Sequence, residues 1–243
     1  MFKFYEVGGK IRDEFLGLVN KDVDYVAVPN DILLASHSKA SDMFILLEQI
    51  LRRDMFEIFL VTKDCYTIRA KFPVGHKYKG VADFVMARKE IGYIPGTRTP
   101  IIVPGSLYDD LERRDFTVNA MAKDEDGNII DPFNGEADLR ARILRTPLPC
   151  NVTFNDDPLR ILRAIRFALT KNLAIPANMQ EVIENYDYEY KMGVVSEERI
   201  REELYKCFKF DTFKTLEMLC KYRDLKLYIF KHTKLWLKPT NEQ

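Results

Sequence analysis

The sequence predicts an α+β protein: a first domain in which short strands alternate with helices, followed by an all-α domain. Three observations predict it. Up to about residue 145, runs rich in β-branched and aromatic residues alternate with helical patterns between Gly, Pro and Asp turn signals. Beyond residue 150 the apolar residues recur at helical spacing only. Between the two lies "RTPLPCNVT", whose prolines interrupt both patterns and set the boundary, giving domains 1–148 and 149–243.

Taken in order, residues 3–6 read as a strand, and Gly8-Gly9 ends it and opens a helix at "KIRDEFLG". Residues 22–28 form the next strand. "SKASDMFILLEQILRRD" has a Ser/Asp start, helical apolar spacing and a basic end, and reads as a helix. Strands follow at 56–62, 65–71 and 81–87. "KEIGYIPGTRTPIIVPGS" carries Pro95, Gly96, Pro100, Pro104 and Gly105 and reads as a long loop of the kind that serves as a functional flap. "DFTVNAMA" and "GNIID" read as two strands about a turn at "KDEDGN". In the second domain "DDPLRILRAIRFALTKN" has an acidic, proline-bearing start and a basic end, matching helix polarity. "NMQEVIENYDYEY", "SEERIREELYKCFKF" and "DTFKTLEMLCKYRDL" are the remaining helices, the second capped by Ser196.

With 243 residues, 47% of them hydrophobic and 30% charged, the chain has enough apolar material for one large or two small cores. Its longest apolar runs are far short of a membrane span, and the N-terminus lacks the apolar core of a signal peptide. The four cysteines and three histidines form no zinc-binding spacing, so reduced thiols and a cytoplasmic location are expected. A formal net charge of zero argues against a protein that coats nucleic acid indiscriminately. The charge is unevenly spread, however. From Lys206 to Lys238 lysines and Arg223 outnumber the acids, with Phe208, Phe210, Phe213, Tyr222, Tyr228, Phe230 and Trp236 among them. Such a segment suits an RNA strand, or else a helix pair with aromatic core and solvated lysines.

Three constellations carry chemistry. Asp22 and Asp24 in "KDVDYV" sit at i and i+2, the same face of a strand, where two carboxylates repel unless a divalent cation lies between them. Gly8 and Gly9, with Arg12 at a short offset, form a turn suited to phosphate. "LERRDFTVNAMA" offers arginines for a triphosphate or ribose, or surface arginines paired with Asp109 and Glu112. In "DDPLRILRAIRF", Asp157, Arg160, Arg163 and Arg166 follow at i+3 steps and predict one polar stripe on a helix.

In this order the motifs resemble those of the class II tRNA nucleotidyltransferases and the related bacterial poly(A) polymerases. "VGGKIRDEFLG…KDVDYV" resembles the glycine pair and DxD motif, and "ADFVMARKEIGY" the strand that follows it. "LERRDFTVNAMA" resembles the RRxxxNA motif, "DPFNGEADLRARILR" the next, "NDDPLRILRAIRFA" the EDxxR motif and "SEERIREEL" the last. Together they cover roughly residues 4–205. The resemblance implies a polymerase β-like nucleotidyltransferase head with a mixed sheet, followed by a helical neck. It implies an enzyme that adds CMP and AMP from CTP and ATP to the 3′ end of tRNA and releases pyrophosphate. Asp22 and Asp24 are then the catalytic carboxylates and the ligands of two Mg²⁺. Gly8, Gly9 and Arg12 approach the triphosphate, Arg114 contacts the nucleotide, and Asp115 and Asn119 shape the ribose site. Asp157 and Arg160 read the base edge, and Arg163 and Arg166 complete the pocket. Cytosine and adenine share an exocyclic amine that a carboxylate accepts from, whereas G and U present mismatched patterns.

Several features depart from the family pattern. Asp156 stands where glutamate usually precedes the base-reading aspartate, and "ASHSKASD" lacks a glycine-x-x-phenylalanine pattern. The absence of a "GRRF"-like element favours tRNA over general RNA. The sequence ends about where a neck ends, so the Lys206–Lys238 segment, a second copy or another partner is expected to help hold RNA. Asp83, on the strand expected beside the DxD strand, is a candidate third metal carboxylate. The alternatives are a poly(A) polymerase and an inactive RNA- or nucleotide-binding remnant.

Overall fold

The computed structural model describes residues 1–20, 22–36, 39–94, 97 and 99–232. They form two compact units, one built from Met1–Ile94 and Thr99–Leu139, the other from Arg140 onward. The units divide ahead of residue 148 because the intervening segment bonds into the helical part: Leu144 N donates to Ala174 O at 2.9 Å and Ala174 N to Arg142 O at 2.7 Å.

The first unit begins with β1 (Phe2–Val7), α1 (Gly9–Phe15) and β2 (Val23–Pro29). Then come α2 (Asp31–Ser36), α3 (Ala40–Arg53), β3 (Glu57–Thr62), β4 (Thr67–Lys71) and β5 (Val81–Met86). Next are β6 (Arg88–Tyr93), β7 (Pro100–Pro104), α4 (Leu107–Glu112), β8 (Ala122–Lys123), β9 (Ile129–Ile130) and α5 (Gly135–Ala141). Seven strands make one mixed sheet in the order β3-β4-β5-β2-β1-β8-β9. Among the described strands of this sheet only β2 and β5 run parallel, and they pair Asp24 with Asp83. Helix α3 turns Met43, Phe44, Leu47, Ile50 and Leu51 inward, the stripe expected of an amphipathic helix. Four of these, Ile50 excepted, join Ile68, Ala70, Ala82, Phe84 and Met86 in one core cluster. Each such large side chain taken fully out of water contributes about 1.5–3 kcal/mol. A second cluster joins Val7 and Val26 of the strands to Leu111 of α4 and to Ala120 and Ala122.

Two readings of the sequence change here. The stretch 89–106 is not a loop but a hairpin, with β6 and β7 paired from Arg88–Pro104 to Tyr93–Pro100. Its prolines stand at both ends of β7, where a missing N–H is tolerated, so they are compatible with an edge strand. Pro95 and Gly96 lie outside the described residues. "DFTVNAMA" is not a strand through its length: Thr117–Asn119 is a single 3-10 turn, and only Ala122–Lys123 enter the sheet. The turn is clamped from outside. Thr117 Oγ1 donates to Asp138 Oδ2 at 2.7 Å, and any Cβ on Gly135 would come within 2.2 Å of Thr117 O.

The second unit contains α6 (Cys150–Asp156), α7 (Leu159–Lys171), α8 (Ala177–Glu184), α9 (Tyr188–Lys191), α10 (Glu197–Phe210), α11 (Thr212–Lys221) and α12 (Arg223–Leu227). Helix α7 buries Leu159, Ile161, Leu162, Ala164, Ile165 and Phe167 and ends on Asn172 in the left-handed conformation. Helix α10 buries Ile200, Glu203, Leu204 and Cys207, an i, i+3, i+4, i+7 series. Two predicted helices are interrupted. The 178–190 stretch breaks between α8 and α9, where Asp187 caps the new helix by accepting from Tyr190 N at 3.2 Å. The 211–225 stretch breaks at Tyr222, whose backbone leaves helical geometry while its ring is buried. Among the described residues no helix is long and apolar enough to cross a membrane.

Candidate functional site

In the first unit the site grows from the end of β1. Val7 faces Asp24 across the antiparallel pair, and Gly8 turns the chain at φ +78°, a conformation that favours glycine. A Cβ on Gly8 would lie 3.3 Å from Arg114 Nη1 and 3.5 Å from Asp24 Oδ2. Glycine therefore leaves open the space where an arginine and a carboxylate from distant parts of the chain meet. Asp22, just ahead of β2, and Asp24 both line a cleft of about 430 Å³, together with Val23, Phe59, Arg69, Val81 and Asp83. Burial, and then the neighbouring Asp83, push the Asp24 carboxyl above its usual range; Arg114 pulls the other way.

Asp83 is occupied. Arg69 Nε and Nη2 each donate to one of its oxygens at 2.6 Å, a bidentate pair that competes with any role for Asp83 as a metal ligand. Among the described residues no group of three or more His, Cys, Asp or Glu side chains is placed to hold a metal ion. The carboxylates left for a cation are Asp22 and Asp24.

Arg114 is held in place by a residue the sequence reading passed over. Asp110 is completely buried and divides its two oxygens between neighbours: Oδ1 accepts from Arg113 Nη2 at 2.5 Å, and Oδ2 from Arg114 Nη2 at 3.0 Å. Burial opposes ionisation here, but the two guanidiniums hold Asp110 below the ordinary carboxylate range. The partner of the arginines is thus the buried Asp110, one turn back on α4, rather than Asp109 or Glu112. Its i+3 and i+4 spacing to Arg113 and Arg114 was a signal the sequence contained.

Arg12 lies beside Gly9 and is engaged within the protein. Its Nε and Nη2 donate to the two oxygens of Asp13, each at 2.8 Å, and its Nη1 to Asn119 Oδ1 at 2.6 Å. Asn119 Nδ2 in turn donates to Asp115 Oδ1 at 2.9 Å. Arg12, Asp115 and Asn119 therefore form one buried network that braces α1 against the 117–119 turn. Gly9 lies over it, its Cβ position 3.3 Å from Arg12 Nη2. Asn20 also joins, donating to Asp13 and accepting from the backbone of Asp22, which ties the carboxylate pair to the same network.

In the second unit the predicted stripe divides. Asp157 does not belong to the helix. It caps α6 in an extended conformation, and its Oδ1 accepts from Leu159 N at 3.1 Å at the start of α7. Arg160, one turn on, donates through Nη1 to Thr153 O at 3.3 Å. Arg199 of α10 approaches Asp157 at 3.8 Å. Arg166 turns to the buried Glu203 of α10, with Nε 2.5 Å from its carboxylate, and Arg163 reaches the same group at 3.8 Å. Asp157 and Arg160 thus share the junction between α6 and α7, whereas Arg163 and Arg166 help to join α7 to α10. Of the basic segment's aromatics, Tyr222 and Tyr228 are buried, while Phe210 and Phe213 are exposed. The side chain of Lys231, and Lys234, Trp236 and Lys238, lie outside the described residues.

Residues 4–145 match the family described as the poly A polymerase head domain. A "Multifunctional CCA protein" of Nitrosomonas eutropha is 35% identical over 208 residues, covering 83% of this chain and 43% of its own. A crystal structure of a tRNA nucleotidyltransferase with a primer tRNA and an incoming ATP analogue superposes with a TM-score of 0.71 at 30% identity, covering 95% of this chain and 60% of that one. A CCA-adding enzyme of Bacillus stearothermophilus in complex with CTP gives 0.67 at 28% identity, covering 90% and 47%. The chain spans less than half the length of the Nitrosomonas relative.

Proposed function

Because the chain belongs to the class II tRNA nucleotidyltransferase family, with a match to its head domain over residues 4–145, we propose that it adds CMP and AMP from CTP and ATP to the 3′ end of tRNA. The observation that carries this reading is the meeting of Gly8, Asp24 and Arg114 beside the cleft that Asp22 shares. In the reaction the 3′-hydroxyl oxygen of the RNA bonds to the α-phosphorus. The bond from that phosphorus to the β-phosphate bridging oxygen breaks, pyrophosphate leaves, and the hydroxyl proton passes to solvent. Gly8 admits the phosphate oxygens, and Arg114, locked by Asp110, faces them with a fixed guanidinium.

Asp22 and Asp24 fit magnesium, which takes one or two protein carboxylates and completes its shell with water and substrate phosphate oxygens. The crowding that raises the Asp24 carboxyl supports the same fit. When bound, the metal promotes ionisation of the attacking hydroxyl and neutralises the leaving group. Asp157 and Arg160 are assigned to the base: the carboxylate accepts from the exocyclic amine common to C and A, and the guanidinium donates to a ring acceptor. Asp157→Ala is expected to lower the preference for CTP over UTP by roughly 10- to 100-fold in kcat/KM, the scale set by an unpaired polar group. Competition between labelled CTP and UTP checks it.

The overall reading is tested with tRNAs ending before C74, C75 and A76 (the three CCA positions), each offered one labelled NTP with Mg²⁺. Incorporation of CMP on the first two and AMP on the third is expected. Long A tails on unstructured RNA without use of CTP select a poly(A) polymerase instead, and no incorporation of either nucleotide sinks both.

A further inference from the structure

We propose that the cleft on the β3 side of Asp24 seats the 3′-terminal nucleoside of the acceptor RNA, with its base stacked on Phe59. The inference rests on the nucleotidyl-transfer reading above. Asp24 lies at a dividing line in the sheet. On its β1 side stand Gly8 and Arg114, assigned to the triphosphate. On its β5 side, through β4 to β3, opens the cleft lined by Phe59, Arg69, Val81 and Asp83. An in-line displacement needs the attacking oxygen opposite the leaving group. With the triphosphate on the β1 side, the hydroxyl approaches from the β5 side.

The residues there suit a nucleoside. Phe59 is 52% exposed on the outermost strand of the sheet, so its ring is accessible to a base. It is also the extra residue of a bulge: the β3–β4 register steps from Ile58–Ala70 directly to Leu60–Arg69, leaving Phe59 unpaired. Bulges re-aim side chains, and this one places an aromatic ring on the wall of the cleft that holds the carboxylates. Arg69, which also lines the cleft, keeps its guanidinium rigid through the bidentate pair with Asp83 while its side chain remains 48% exposed. A half-exposed ring for the base and a fixed cation for the adjoining phosphate are the two elements that single-stranded RNA sites combine.

The test compares Phe59→Ala and Phe59→Leu with Phe59→Trp, using a tRNA minihelix that lacks its CCA end. Steady-state kinetics are taken against acceptor and against CTP, and acceptor binding without nucleotide is read by fluorescence anisotropy. The loss of one stacked base predicts a fall of roughly 5- to 100-fold in kcat/KM for acceptor, with weaker anisotropy binding. Trp restores both, Leu restores neither, and KM for CTP stays within about 2-fold, since the triphosphate contacts lie elsewhere. An active wild type whose Phe59→Ala variant keeps its acceptor parameters, or loses CTP affinity instead, overturns this proposal alone. A wild type that adds no nucleotide overturns the catalytic reading, and this one with it.

Discussion

Asp24→Asn is expected to abolish nucleotide addition, lowering kcat by at least about 10³-fold, the scale of a lost group that stabilises transition-state charge. The substitution preserves shape and removes one negative charge from the pair assigned to the metal. The same change should make the metal-free protein more stable toward higher pH. Burial and the proximity of Asp83 raise the Asp24 carboxyl above its ordinary value, so the folded state binds a proton more readily than the unfolded one. A raised carboxyl contributes stability that is present at low pH and is lost as pH rises through the folded-state value. Toward higher pH the metal-free wild type therefore carries this penalty, and asparagine relieves it. Thermal melts with and without Mg²⁺ check this: the wild type should gain Tm on adding the metal, and Asp24→Asn should start higher and gain little. A variant that melts lower than wild type without metal, or that keeps activity, removes Asp24 from this role.

Asp110→Ala is expected to be the most damaging single change to the fold of the first unit, about 3–5 kcal/mol, because it removes the carboxylate that two guanidiniums share in a buried space and leaves Arg113 the more distant Glu90, at 3.7 Å. Chemical denaturation measures it. The surviving protein should also lose activity, since Arg114 is then no longer fixed beside Gly8 and Asp24. The pH dependence runs opposite to that of Asp24. Asp110 is held below the ordinary carboxylate range, so its contribution is intact at neutral pH and disappears only as pH falls through the folded-state value. Equal stability of variant and wild type near pH 7 rules out this anchoring role.

Much of the site was legible because its chemistry is local in sequence. Asp22 and Asp24, two residues apart, both line the cleft although Asp22 stands just ahead of β2 rather than in it, and Gly8 stands at the end of a strand whose length the apolar run already set. The i+3 spacing of Asp157 and Arg160 predicted one helical stripe, but Pro158 ends one helix and starts the next, so Asp157 caps the junction instead of lying on it. The prolines of 89–106 resemble loop punctuation, and only the pairing of β6 with β7 places Pro100 and Pro104 at strand ends, where a missing donor does no harm.

By itself the sequence determined the division into a strand-bearing and a helical part, the carboxylate pair, the glycine turn and the family, since each depends on residue type and short spacing. Only the tertiary structure decided which cations these groups use. It set Arg114 on Asp110, Arg12 on Asn119, Arg69 on Asp83 and Arg166 on Glu203. An arginine side chain is long enough to reach several carboxylates, and burial, which depends on the whole packed chain, decides which pairing outweighs the loss of water.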